Sequence, residues 1–186
     1  MKQNQIFTGL FFAAVLCFAG CVKDDPTIPN QEEVITTLIY TLTPDNGGNA
    51  VVLSFRDLDG DGGNAPVITT GILTTNTTYT ALLELQNEAA EPTESITDEI
   101  EEEAEEHQFF FQTTLNDLEV IYDDQDADGN PIGLTTTVTT GSSDAGTITI
   151  ILKHEPNKSA AGVINGDITN AGGETDIEVT FGVDVQ

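Results

Sequence analysis

The stretch Ile177-Glu178-Val179-Thr180-Phe181-Gly182-Val183-Asp184-Val185 alternates apolar and polar residues without a break. A period of two is the signature of a half-buried β-strand. The same alternation occurs at Val51–Arg56, where Val51, Leu53 and Phe55 share one face. It returns at Tyr79–Gln86, where Tyr79, Ala81, Leu83 and Leu85 do so. Further strands are expected at 34–43, 67–75, 108–114, 118–122, 133–140 and 146–154, with Thr as the leading outward residue, which suits a solvated pleated surface. Turn chemistry separates them: Pro44-Asp45-Asn46-Gly47-Gly48, Asp128-Gly129-Asn130-Pro131 and Ala171-Gly172-Gly173. No strand–helix alternation is present, which argues against a parallel α/β fold. The expected fold is all-β: an antiparallel β-sandwich of 8–9 strands, immunoglobulin-like or related.

One segment departs from this pattern. Residues 88–107 are dense in acids, with Glu101-Glu102-Glu103 and Glu105-Glu106 in direct succession. Ser95 followed by Asp98 resembles a capping box. Ile96, Ile100, Ala104 and His107 fall at helical spacing. The segment reads as an insertion, either a short acidic helix or a disordered excursion, because the like charges repel.

The chain has 186 residues, 5 Lys+Arg against 32 Asp+Glu, and a formal net charge of −27. Nucleic acid is excluded as an expected partner, since binding it requires a basic footprint. Residues 1–20 read as an export signal: Lys2 supplies a short basic region, and Ile6–Phe18 an apolar run too short to span a bilayer. Phe18-Ala19-Gly20-Cys21 resembles a bacterial lipobox, with Phe18 where Leu is usual. The resemblance implies cleavage before Cys21 and lipidation of that cysteine. The expected domains are therefore a signal peptide at 1–20, a lipidated cysteine with a flexible tether at 21–33, and the sandwich at 34–186. Cys17 would leave with the signal and Cys21 would carry lipid, so no thiol remains for catalysis or a disulfide.

Lys23-Asp24-Asp25, just past Cys21, resembles the surface-export signal of Bacteroidota lipoproteins. It implies an outer-membrane protein that faces the cell exterior and touches the membrane only through its lipid. Asp57–Pro66, Glu105–Phe111, Lys153–Lys158 and Asn165–Glu174 are similar to segments of small flavobacterial lipoproteins of unknown function. Some such relatives carry the label of a type 1 periplasmic binding fold superfamily. That fold requires two α/β lobes, which residues 34–186 do not supply.

The loops Asp57-Leu58-Asp59-Gly60-Asp61-Gly62 and Asp124-Gln125-Asp126-Ala127-Asp128-Gly129 both fit D-x-D-x-D-G. This spacing suits Ca²⁺, a hard cation that takes oxygen ligands. Asp57, Asp59 and Asp61 in one loop, and Asp124, Asp126 and Asp128 in the other, are the expected calcium ligands. The twelfth positions are Ile68 and Thr135, so neither loop has the closing glutamate of an EF-hand, and turn formation alone also explains both. His107 and His154, with nearby carboxylates, could ligate a transition metal or haem if they met in space. Each reads more simply as a surface or edge histidine. Strand alternation in Phe109-Phe110-Phe111 buries Phe109 and Phe111 and turns Phe110 to the other face.

No G-x-S-x-G, H-E-x-x-H or phosphate loop is present. Carboxylate pairs that would suit a small hydrolase are expected by chance in so acidic a chain. The functional expectation is a non-enzymatic surface lipoprotein with calcium-stiffened loops, in a structural or binding role toward an unspecified protein or small molecule. The alternative is a lipoprotein that captures a nutrient or metal and passes it to a membrane transporter.

Overall fold

The alternating segments pair into two sheets in a computed structural model, which describes residues 33–60 and 63–186. These residues belong to one compact unit, Glu32–Gln186. Its elements are β1 (Thr37–Pro44), β2 (Val51–Arg56), β3 (Val67–Thr69), β4 (Gly71–Leu73), β5 (Thr78–Asn87), β6 (Glu94–Ser95), α1 (Ile96–Glu102), β7 (His107–Thr113), β8 (Glu119–Tyr122), β9 (Thr135–Thr139), β10 (Asp144–His154) and β11 (Glu174–Val185). The first sheet has the order β3-β2-β1-β5-β9-β8, with β6 added to β5; the second has the order β4-β11-β10-β7. The all-β sandwich follows, antiparallel except where β4 runs parallel to β11.

The inward rows are those the alternation marks. Leu38, Tyr40 and Leu42 of β1, Leu53 of β2 and Tyr79, Ala81, Leu83 and Leu85 of β5 face Phe109, Ile148, Ile150, Leu152, Val179, Phe181 and Val183 of the second sheet. Each large side chain buried there contributes roughly 1.5–3 kcal/mol. The tyrosine hydroxyls in this layer are satisfied: Tyr40 Oη shares a hydrogen bond with Thr136 Oγ1 at 2.8 Å, and Tyr79 Oη accepts from Thr74 N at 2.7 Å.

Residues 67–75 do not form a single strand. The chain passes from the first sheet (β3) to the second (β4) at Thr70. Gly71 permits the crossing, because a Cβ there would strike the Val51 side chain. Phe110 does face away from Phe109, but that face is covered as well. Residues 155–173 fold back over it and bury Phe110 with Ile151, Val163 and Ala171 in a second small core.

The acidic insertion is ordered as a helix. The Ser95 hydroxyl accepts from Asp98 N at 3.3 Å, and Ile96 and Ile100 are buried. A 3₁₀ turn, Ala104–Glu106, then leads directly into His107. Among the described residues no helix is long and apolar enough to cross a membrane. Cys21, Lys23, Asp24 and Asp25, together with Asp61, lie outside the described residues.

Candidate metal centre

The inward rows of β7 and β10 each end in a histidine. On β7 the row runs Phe111, Phe109, His107; on β10 it runs Ile150, Leu152, His154. The strand register sets Ile150 against Phe111, Leu152 against Phe109, and His154 against His107. Both histidines are buried rather than at the surface, while His107 lies on β7, an edge strand of its sheet. Their rings lie side by side, with centroids 4.8 Å apart. That spacing leaves no room for a macrocycle between the two rings.

Two carboxylates join them. Asp176 arrives through a β-bulge. Along β10 and β11 the partners step from Leu152–Ile177 to Lys153–Thr175, and Asp176 is the extra residue. Regular alternation after Ile177 would point Asp176 outward. The bulge turns it inward, where its side chain is 0% exposed. Glu33, the last residue of the expected tether, packs over the end of the sandwich with its side chain 4% exposed. The following segment is held by Thr36, whose N and Oγ1 both donate to Gln86 O, and by Asp57 N, which donates to Thr36 O at 2.8 Å.

The geometry is tight. His107 Nε2 lies 3.0 Å from Glu33 Oε1 and 4.0 Å from Asp176 Oδ2. His154 Nδ1 lies 3.8 Å from Glu33 Oε2 and 3.7 Å from Asp176 Oδ1. One ligand atom from each of Glu33, His107, His154 and Asp176 can be chosen so that all lie within 4.8 Å of one another. A tetrahedral ion with arms of 2.0–2.1 Å needs ligand atoms about 3.3 Å apart. The observed contacts bracket that value.

Electrostatics favours a cation at this position. His107 Nδ1 sits 3.1 Å from the Glu103 carbonyl. A carbonyl only accepts, so this bond places a proton on Nδ1 and leaves Nε2 facing the two carboxylates. A bare nitrogen lone pair beside two buried carboxylates is repelled unless a proton or a metal stands between them. Burial disfavours a charged His107 ring, yet the contact with Glu33 and the charges of Glu33 and Asp176 outweigh it and raise its pKa. Burial likewise works to raise Glu33, but the two histidines hold its carboxyl below the usual value. Glu33 Oε2 is buried and makes no hydrogen bond. Outside this cluster, His154 Nε2 is 3.9 Å from Glu106 Oε2, and Glu106, His154 and Glu155 form a second, more exposed ligand group.

The aspartate loops are organised differently. Asp57 Oδ1 accepts from Gly60 N at 3.1 Å, and Asp59 Oδ2 accepts from Asn64 N and Nδ2 at 3.0 and 2.7 Å. In the second loop, Asp124 accepts from Gly133 N and Thr135 N at 2.7 and 2.8 Å. Asp126 Oδ1 accepts from Asp128 N and Asn130 N, while its Oδ2 takes the Lys158 ammonium at 2.9 Å. That ammonium also donates to Ala104 O at 2.6 Å and Pro131 O at 3.2 Å. Three oxygens thus surround a cation that belongs to the chain. Among the described residues, no group of three close metal-ligand atoms includes Asp124, Asp126 or Asp128, and backbone donors and Lys158 engage the carboxylates of Asp124 and Asp126.

No protein-family model matches the chain, and no curated protein or solved structure matches it either.

Proposed function

We propose that this chain is a non-enzymatic, lipid-anchored envelope protein whose β-sandwich holds one divalent transition-metal ion between His107, His154, Glu33 and Asp176. The observation that carries the proposal is the cross-strand pairing of two buried histidines against two buried carboxylates. Two imidazoles and two carboxylates suit Zn²⁺ and its first-row neighbours better than Ca²⁺, which prefers six to eight oxygens. Four protein ligands fill a tetrahedral shell, and a filled shell holds a metal rather than activating a water. The lipobox-like Phe18–Cys21 and the Lys23-Asp24-Asp25 signal support an anchor at Cys21 and an outward-facing location on the outer membrane. In that setting the protein captures a metal from the surroundings and keeps it or passes it on to a membrane transporter.

Titration calorimetry of the metal-stripped full chain with Zn²⁺ tests the reading. One ion per chain is expected, with binding lost in the His107→Ala/His154→Ala double variant. Binding unchanged in that variant would reject the site.

A further inference from the structure

A groove of about 480 Å³ opens beside the cluster, and its lining includes Glu33, Asp176, Asp57, Asp59, Phe55 and Ile177. Two of these, Glu33 and Asp176, are also ligands of the candidate metal centre. The groove therefore runs up to the two residues that carry the carboxylates of the centre, whose side chains are themselves 4% and 0% exposed. Glu33, whose Oε2 is buried and makes no hydrogen bond, is one of the residues along this wall. Every charged residue in the lining is acidic. The nearest base along the chain, Arg56, is held in an ion pair with Glu88 at 2.7 Å. Asp57 is tied through its backbone to Thr36, three residues from Glu33, so the first aspartate loop stands next to the segment that covers the centre.

We infer that this groove is the route by which a divalent cation reaches the centre, and that Asp57 and Asp59 at its mouth steer the cation in. The inference rests on the metal reading above and gives the first aspartate loop a role. Like charges lining a concave surface focus the field and raise the association rate of an opposite charge by roughly 10- to 1,000-fold, an effect that salt suppresses. Asp57 and Asp59 are steering residues, not ligands. Their loss should slow loading and leave the loaded state unchanged.

Stopped-flow mixing of the metal-stripped full chain with Co²⁺, followed by the visible absorbance of the bound ion, tests this. The Asp57→Asn/Asp59→Asn variant is expected to bind about tenfold more slowly at low ionic strength. The difference should close at high salt, with an unchanged dissociation rate and an unchanged saturated spectrum. Glu119→Gln/Asp184→Asn removes the same charge on β8 and at the far end of β11, and it should bind at close to the wild-type rate. Equal slowing in the two variants, or no slowing in the first, would overturn the steering role while the metal centre stands. A wild-type chain that takes up no Co²⁺ would overturn both.

Discussion

His107 and His154 stand opposite each other at the ends of β7 and β10, with ring centroids 4.8 Å apart and both side chains buried. Two imidazoles at the edge of an apolar layer, facing Glu33 and Asp176, form a polar cluster that burial alone makes costly. A cation bound among them would satisfy all four groups at once.

Each ligand should matter in proportion to what it leaves behind. His154→Ala removes one nitrogen and leaves both carboxylates in place, so Zn²⁺ affinity should fall by at least about 100-fold, the upper range seen when a mere supporting residue is lost. Asp176→Asn keeps the size of the side chain and one acceptor oxygen, and it should cost less. Competition against a zinc-sensitive dye measures both.

Metal should stabilise the fold. Zn²⁺ at a hundred times its Kd adds about 2.7 kcal/mol if it binds only the folded state. For a domain of this size that is a rise in Tm of about 5–10 °C. The rise should vanish with a chelator and be absent in the double histidine variant. Differential scanning calorimetry reads it.

Lys158 and Asp126 form a buried ion pair, with side chains 5% and 1% exposed. Lys158→Met leaves the carboxylate uncompensated and should cost about 3–5 kcal/mol. Adding Asp126→Asn should restore part of the loss. Burial works to raise the Asp126 pKa, but the bond and charge of Lys158 together with the backbone donors of Asn130 and Asp128 outweigh it and hold it below the usual 3.8. A depressed folded-state pKa means stability that is present above the unfolded value and lost as pH falls through the folded one. The acid limb of the wild-type stability curve, measured by urea titration below pH 4, should therefore be steeper than that of Asp126→Asn.

Gly173 has φ +66°, and a Cβ there would strike the His154 carbonyl and the backbone of Glu155. Gly173→Ala combines a left-handed backbone, which costs about 1–2 kcal/mol for a side-chain-bearing residue, with a push on the strand that carries His154. Both Tm and metal affinity should fall. Gly172→Ala shares the positive φ but meets no neighbour, so it should lower Tm alone. Thermal melts with and without Zn²⁺ separate the two.

The strands were legible because alternation over Val51–Arg56, Tyr79–Gln86 and Ile177–Val185 needs no knowledge of partners. The break at 67–75 was not, because the crossing at Thr70 depends on how close Gly71 must come to Val51. The helix in the acidic insertion was half legible: Ser95 and the Ile96/Ile100/Ala104 stripe argued for it, and the charge repulsion argued against. In the site, His107 and His154 were visible as candidates, but their meeting depends on the register of β7 against β10. Asp176 could not be found by periodicity, since only a bulge turns it inward. Glu33 resembled the acidic, Pro-containing tether before it. The one available signal was that the inward rows of β7 and β10 both end in histidine.

The most direct measurement is X-ray absorption at the Zn K-edge of the loaded full chain. Two imidazole and two carboxylate scatterers are expected at about 2.0–2.1 Å. A shell of oxygen atoms with no imidazole would contradict the proposed centre.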